Sequence, residues 1–493
     1  MNRRPVIVGI DQGTTGTTVL VLDQNLTILG RGYCEIPQSY PTPGQVEHDS
    51  EAIWLSVLTA FAQARAQSGP GEIAAIGITN QRETTILWDR ATGTPVAPAI
   101  VWQDRRTAEM CDRLRAQGQE ALVRERTGLV LDPYFSASKI AWLLDNIPDL
   151  RRKAEAGEIA FGTVDSFLLW RLSGGQVHLT DVSNASRTSL FDLERLQWSP
   201  EMCRMFGVPA GLLPRVGPSS GRLAVTRGLA EIPDGIALAA AAGDQQAALF
   251  GQQCLRAGDA KCTFGTGSFL LMNVGPRPVL SRHRLLGTVA WQTATGTTYA
   301  LEGSAFVSGA LIQWLRDGLG IIRQAADSEG LAASVPDDGG VTIVPALAGL
   351  GAPHWRPEAR GAILGLTRGT RAAHIARAAL QAIALQNVDL VRAMEQDAGH
   401  VLTNLRVDGG ATANNLLMQI QSDLLGADIV RPAQVELTAL GAARLAAEGV
   451  GLDIDPQDAT DSDATIFRPR MPASERDRIL SSWRKAIAQA CMS

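Results

Sequence analysis

Asp11 opens a turn of glycine and threonine, Asp11-Gln12-Gly13-Thr14-Thr15-Gly16-Thr17, set between the apolar runs 6–10 and 19–22. A second turn of the same make, Phe264-Gly265-Thr266-Gly267-Ser268, leads into Phe269-Leu270-Leu271-Met272 in the other half of the chain. Apolar runs joined by Gly and small polar residues read as β-hairpins. Glycine lets a backbone come close to a ligand, and the N–H and hydroxyl groups of such turns form a concavity for anions. A carboxylate beside the first turn offers oxygen to a divalent metal. Two such turns, one in each half, predict a phosphate clamp that closes on a nucleotide, which is kinase chemistry.

Transfer of a phosphoryl group to an alcohol further needs in-line positioning and a group that accepts the hydroxyl proton. Asp244 follows the small-residue run 236–242 and Gly243, and is the candidate general base. Arg82 and Glu83 are a neighbouring donor and acceptor, and Gln245 offers both functions, so the three together suit a polyol. Trp102 and Phe269 would wall its carbon face. Each residue type also has an ordinary use: an Asp at a strand end caps a helix, an Arg-Glu neighbour pair sits in solvent, and Trp or Phe fills a core. Their joint placement after apolar runs favours the chemical reading.

The elements that must position these groups are legible as alternating strands and helices. Apolar residues Ile53, Trp54, Val57, Leu58 and Phe61 share one face of a helix over 51–66. Strands are expected over 73–79, 86–89 and 99–102, the first running straight into Asn80-Gln81-Arg82-Glu83. Residues 243–251 read as a strand end opening a helix, 373–394 as a long amphipathic helix, and 405–412 as a strand entering a helix near Asn414. Ligands of α/β sheets gather where strands end, so polar clusters after apolar runs mark the site. A hinge near residue 250 would divide the chain into an N-terminal domain, 1–252, and a C-terminal domain, 253–493.

Composition excludes several classes. A chain of 493 residues with 45% hydrophobic and 19% charged residues is an ordinary globular protein of two or three domains. A net charge of −5 gives no footprint for nucleic acid. Only Lys139, Lys153, Lys261 and Lys485 are lysines, and none follows a glycine, which removes the GxxxxGK[ST] phosphate loop. No GxGxxG follows a strand. Gly217-Pro218-Ser219-Ser220-Gly221 matches the GxSxG nucleophile elbow in letters but lacks a preceding apolar strand and has proline as its second residue, and is expected to be a plain surface turn. Six cysteines without a CxxC pair point to neither zinc nor disulfides. The N-terminus is too short in apolar residues for a signal peptide, and no run approaches the roughly 20 residues of a membrane span. A cytoplasmic location is expected.

The motifs GIDQGTTGTT at 9–18, GITNQRETTILWD at 77–89, GDQQAALFGQ at 243–252, FGTGSF at 264–269, GLGAPHW at 349–355, ARGAILGLTRG at 359–369 and LRVDGGATANNLLMQ at 405–419 together resemble the FGGY carbohydrate kinases, and among them the glycerol kinases. The resemblance runs from about Val6 to Arg470. It implies an α/β fold of two ribonuclease-H-like domains of the actin and hexokinase ATPase type, with the active site in the cleft between them. It implies ATP and Mg2+ as cofactors, a polyol substrate, and a homodimer or homotetramer. Glycerol would be held by Arg82, Glu83, Tyr134, Asp244 and Gln245, with Trp102 and Phe269 against its carbons. Asp244 would be the catalytic base, and Asp11 and Asp244 would lie near the metal. Thr14, Thr15, Gly16 and Thr266 would meet the phosphates, and Gly309, Gln313, Gly410 and Asn414 the rest of the nucleotide. A sibling kinase for erythritol, dihydroxyacetone or xylulose, and an ATP-binding scaffold without turnover, are the competing readings. Three departures stand out. The family's first turn ends in Ser-Ser-Arg where this chain has Gly16-Thr17-Thr18, and Arg356 replaces a usual aspartate. Residues 222–242 lack the histidine and the Gly-Gly with nearby basic residues on which the family's phosphohistidine activation and fructose 1,6-bisphosphate inhibition depend, so neither control is expected.

Overall fold

The computed structural model describes residues 5–356, 358–454 and 463–492. Strands β1 (Pro5–Gln12) and β2 (Gly16–Leu22) form the first hairpin, and β3 (Ile28–Glu35) extends it antiparallel. Helix α1 (Ser50–Ser68) covers this end of the sheet, capped by the Asp49 side chain on the Glu51 N–H. Strand β4 (Glu72–Asn80) returns parallel to β1. After a long helical insertion, β5 (Ser220–Val225) and β6 (Ala237–Gly243) complete a six-stranded sheet in the order β5-β6-β4-β1-β2-β3. Helix α2 (Asp244–Gly251) then leads out.

Strands β1, β4 and β6 are parallel to one another in this sheet and rich in small and branched apolar residues, as parallel strands covered on both faces must be. They end side by side: Gln12 pairs with Asn80, and Asn80 with Gly243. The register therefore gathers the Asp11 turn, the Arg82-Glu83 turn and Asp244 at the C-terminal ends of three adjacent strands, although they are far apart in the chain.

The second sheet repeats the plan. Strands β7 (Ala260–Phe264) and β8 (Ser268–Gly275) form the second hairpin. β9 (Leu286–Thr293) and β10 (Gly296–Ala305) extend it antiparallel. Helices α3 (Gly309–Asp317) and α4 (Ala372–Ala398) follow. β11 (Asn404–Asp408) then pairs in parallel with β7, the helix α5 (Asn415–Leu425) follows, and β12 (Asp428–Arg431) pairs in parallel with β11. β13 (Thr465–Phe467) closes the order β9-β10-β8-β7-β11-β12-β13.

Helix α6 (Leu437–Val450) belongs to the second half of the chain but lies on the first sheet. Its Leu440, Ala443 and Leu445 share a buried cluster with Ile7, Leu20, Ala75 and Ala239. The approach is close: a Cβ built on Gly9 or Gly77 would stand 2.2 Å from Ala439 O or 2.0 Å from Ala442 O. The two sheets divide between residues 243 and 260, and the helical cover of the first does not respect that division.

One expectation fails. The 217–221 turn is not a surface turn: Ser219 and Ser220 are buried. Ser219 Oγ donates to Asp181 Oδ2 at 2.6 Å, and its N–H donates to Gln292 O at 2.8 Å. It joins the insertion to the second sheet, a role that its polar letters conceal. Among the described residues, no helix is long and apolar enough to cross a membrane.

Candidate active site

The Arg82-Glu83 turn is held in a conformation its sequence does not prefer. Glu83 has φ +59°, a left-handed backbone that costs a non-glycine residue about 1–3 kcal/mol unless its surroundings fix it. They do. The Glu83 carbonyl accepts from Ser136 Oγ at 3.0 Å, Thr85 Oγ1 at 3.2 Å and Lys139 Nζ at 3.4 Å. Lys139 Nζ also donates to Tyr134 O at 2.6 Å, so one buried ammonium sets both Glu83 and Tyr134. Burial lowers that ammonium's pKa to about 8.

Around this turn lies a cluster of buried charges. Arg82 Nε stands 3.2 Å from Asp244 Oδ1, while its Nη1 and Nη2 meet Glu302 Oε2 and Oε1 at 2.5 and 3.1 Å. Arg187 links Glu83 Oε1, at 2.6 Å from Nε, to Glu302 Oε1, at 3.0 Å from Nη2. Asp244 begins α2, where Oδ1 accepts from the Gln245 N–H at 2.6 Å. Burial raises its carboxyl, with Arg82 and Lys261 pulling the other way. Burial also pushes Glu302 up, but Arg187 and Arg82 outweigh it and hold that carboxyl at about 2. Lys261 Nζ donates to Gln245 Oε1 and, at 2.7 Å, to Thr263 Oγ1.

Beside the cluster is a cavity of about 290 Å³ lined by Trp102, Tyr134, Phe269, Glu302, Phe306 and Trp355 among others. Trp102 meets Tyr134 and Phe269 edge to face, with ring centroids 5.7 and 6.4 Å away. The indole N–H of Trp102 donates to Thr14 Oγ1 at 2.9 Å, tying the apolar wall to the first turn. Arg82, Glu83, Trp102, Tyr134, Asp244, Gln245 and Phe269 are thus gathered, with aromatic faces on one side and charged donors and acceptors on the other.

Each turn is closed by a hydrogen bond between two of its glycines. Gly13 N–H donates to Gly16 O, and Gly265 N–H to Gly267 O, each at 2.9 Å. Thr15 is exposed at the tip of the first turn. Thr266 O accepts from Ser308 N–H at 2.8 Å and Ala310 N–H at 3.1 Å, and Gly309 N–H donates to Gly265 O at 2.9 Å, so α3 starts against the second turn. Gln313 is exposed one turn further along α3. A larger cavity of about 710 Å³ opens at the end of β11, lined by Asp408, Gly409, Gly410, Thr412 and Arg431 among others. Gly409 has φ +91°, and a Cβ there would lie 2.4 Å from Phe264 O, so glycine lets this cavity abut the second turn. Asn414 accepts from Leu417 N–H at 2.8 Å as the cap of α5.

Thr18 is buried in β2 opposite Asp11. Arg356 is exposed and pairs with Glu358 at 3.4 Å. Among the described residues, no group of three or more His, Cys, Asp or Glu is gathered for a metal. Magnesium does not demand one, since one or two carboxylates, waters and phosphate oxygens complete its octahedron. Asp11 fits such a place: burial and the charges of Asp244 and Glu436 push its carboxyl up to about 8, a strain that a cation would relieve.

Arg187, Glu302, Lys139 and Lys261 escaped sequence reasoning. Two signals were available. In a chain with four lysines, Lys139 and Lys261 are fully buried. Glu302 interrupts an otherwise apolar run between Leu301 and Gly303.

Known proteins bear on this arrangement. Models of the FGGY family of carbohydrate kinases match its N-terminal domain at residues 6–251 and its C-terminal domain at 260–449. The glycerol kinase of Alkalilimnicola ehrlichii is 54% identical over 98% of both chains, and that of Myxococcus xanthus 54% identical over 99% of this chain and 100% of its own. The Plasmodium falciparum glycerol kinase, solved with ADP, is 35% identical and superposes with a TM-score of 0.94, covering 99% of this chain and 98% of its own. The xylulose kinase of Rhodospirillum rubrum, at 23% identity and a TM-score of 0.87 over 98% of both chains, shares the fold. Two like sheets, a glycine-threonine turn on each and a charged, aromatic-walled cavity between them thus have one common account: the chain belongs to the FGGY family of carbohydrate kinases, with their two-domain actin- and hexokinase-like fold.

Proposed function

We propose that this chain phosphorylates glycerol with ATP, giving sn-glycerol 3-phosphate. The observation that carries the reading is the meeting of Arg82, Glu83 and Asp244 in one ion-paired cluster with Glu302, which itself lines a small aromatic-walled cavity beside the two glycine-threonine turns. The 54% identity to glycerol kinases over nearly the whole chain supports the choice of polyol. Arg82 and Glu83 hold glycerol hydroxyls as donor and acceptor, and Trp102 and Phe269 pack on the carbons. Asp244 takes the proton of the hydroxyl that attacks, a general-base step worth about 10²- to 10⁴-fold. The first and second turns cradle the phosphates with their backbone N–H and threonine hydroxyls, and the cavity at β11 takes the base and ribose. Asp11 and Asp244 would hold magnesium, which when bound supplies charge neutralisation on the phosphates. Lys261, buried and donating to Gln245 Oε1 and Thr263 Oγ1, adds a cation on the same side. Closure of the two sheets excludes water from the reacting phosphoryl group.

Release of ADP from Mg-ATP against glycerol, dihydroxyacetone, erythritol, xylulose and ribulose tests the reading. Glycerol is expected to show a kcat/KM roughly tenfold or more above the others, as a polar grip matched to its hydroxyls should give. A higher value for another polyol or ketose overturns the substrate, and silence with ATP bound overturns the enzyme.

A further inference from the structure

Glu302 sits in the middle of β10, opposite Leu271 on β8 and Leu286 on β9, deep in the second sheet. Its carboxylate is almost wholly buried, and both of its oxygens face guanidinia that belong to the first half of the chain, Arg82 and Arg187. Burying an ion pair is a poor source of stability, because desolvation cancels most of the attraction. The cluster is better understood as a device for orientation. Three carboxylates, Glu83, Asp244 and Glu302, compete for two guanidinia. Glu302 takes the forked end of Arg82 with both oxygens, and this fixes the plane of the group and leaves only Nε toward Asp244. Without Glu302 the fork is free to turn onto Asp244 and pair with it side by side, which is the strongest geometry open to arginine and carboxylate. The base would then be occupied and the polyol would lose a donor.

Resting on the reading of this chain as a polyol kinase, we propose that Glu302 is a positioning residue that reaches across from the second sheet to keep the forked end of Arg82 off Asp244, leaving only Nε in contact with it. Because Glu302 stands on a strand of the second sheet and Arg82 follows a strand of the first, the grip on the acceptor depends on contact between the two halves. Arg187 is the second strut: it ties Glu302 to Glu83, so both members of the Arg82-Glu83 turn are set by the same carboxylate.

The experiment compares Glu302→Gln, which keeps the shape and loses the charge, with Glu302→Asp, which keeps the charge on a shorter arm. Steady-state kinetics, thermal melting and solution scattering are measured on the full chain. Glu302→Gln is expected to lower kcat with glycerol roughly 100-fold, with KM for ATP within about threefold of wild type. Glu302→Asp should recover about tenfold of that loss, and the ligand-free Glu302→Gln protein should scatter as a wider particle than wild type. A kcat within about threefold of wild type in Glu302→Gln overturns the proposal. So does a loss of activity that follows a falling melting temperature with no recovery in Glu302→Asp. If Glu302→Gln does not fold, Glu302→Asp alone decides, with a selective loss of kcat for the proposal and wild-type kcat against it. If wild type phosphorylates none of the polyols, the functional reading fails on its own, and an unchanged scattering curve still overturns the cross-cleft contact.

Discussion

Asp244 is pulled two ways, and both pulls come from neighbours that the fold holds fixed. Burial favours its protonated form, while Arg82 and Lys261 favour the carboxylate that the proposed base role requires. Replacing Asp244 by Asn removes the acceptor and leaves the shape. The expected result is a kcat about 10²- to 10⁴-fold lower, with ATP binding by calorimetry preserved; near-normal turnover would move the base elsewhere. Lys139 gives a prediction in pH. Its folded pKa of about 8 lies below the roughly 10.4 of an unfolded lysine. Between those values the unfolded chain binds the extra proton, so this residue's contribution to stability rises with pH, by at most roughly 3 kcal/mol. Urea unfolding at pH 7, 8.5 and 10 should show wild type gaining on Lys139→Met as pH rises, and a constant difference would refute it. Asp11, Arg82, Glu83 and Asp244 are legible in the sequence because each stands where an apolar run stops. Arg187 and Glu302 are not, since the two partners are 115 positions apart and no local spacing encodes their meeting. The Glu83 backbone was equally hidden, because nothing in Asn-Gln-Arg-Glu-Thr announces a left-handed residue.

Elements follow the sequence where their signal is local. The helix expected over 51–66 is α1, that over 373–394 is α4, and the strand expected over 73–79 is β4, each a little longer than its apolar pattern. The strand expected over 99–102 shrinks to Ala99–Ile100, because Trp102 turns out toward the cavity instead of continuing a ladder. The burial of Ser219 has no local signal because its partners, Asp181 and Gln292, come from other elements. Contact between α6 and β4 is likewise invisible locally, yet it dictates Gly77. Gly77→Ala places a methyl 2.0 Å from Ala442 O and should destabilise by about 1–3 kcal/mol, with the helix displaced. Gly211→Ala, where no atom lies within 4 Å of the added carbon, is the control. Equal urea midpoints for the two variants, at unchanged slope, would remove the close approach as the reason for glycine at 77.

At the scale of the whole molecule the two sheets repeat one plan, and the hairpin motifs near residues 11 and 264 announce that repetition in the sequence. The crossing of α6 onto the first sheet has no such announcement, since its apolar face looks like that of any amphipathic helix. A fragment ending at residue 252 should therefore be soluble only in part, bind a hydrophobic dye and lack near-ultraviolet dichroism, because Ile7, Leu20, Ala75 and Ala239 lose their cover. Adding a peptide of residues 433–454 should restore the signal; a well-folded fragment without it would show that the helix is dispensable. The same crossing sets a timetable on the ribosome. The last strand of the first sheet emerges about two hundred residues before its helix does, which at 5–20 residues per second is roughly 10–40 s with one face bare. A nascent chain in that interval is a natural client for a chaperone, and the N-terminal half of this kinase is finished only when its C-terminal half is nearly made.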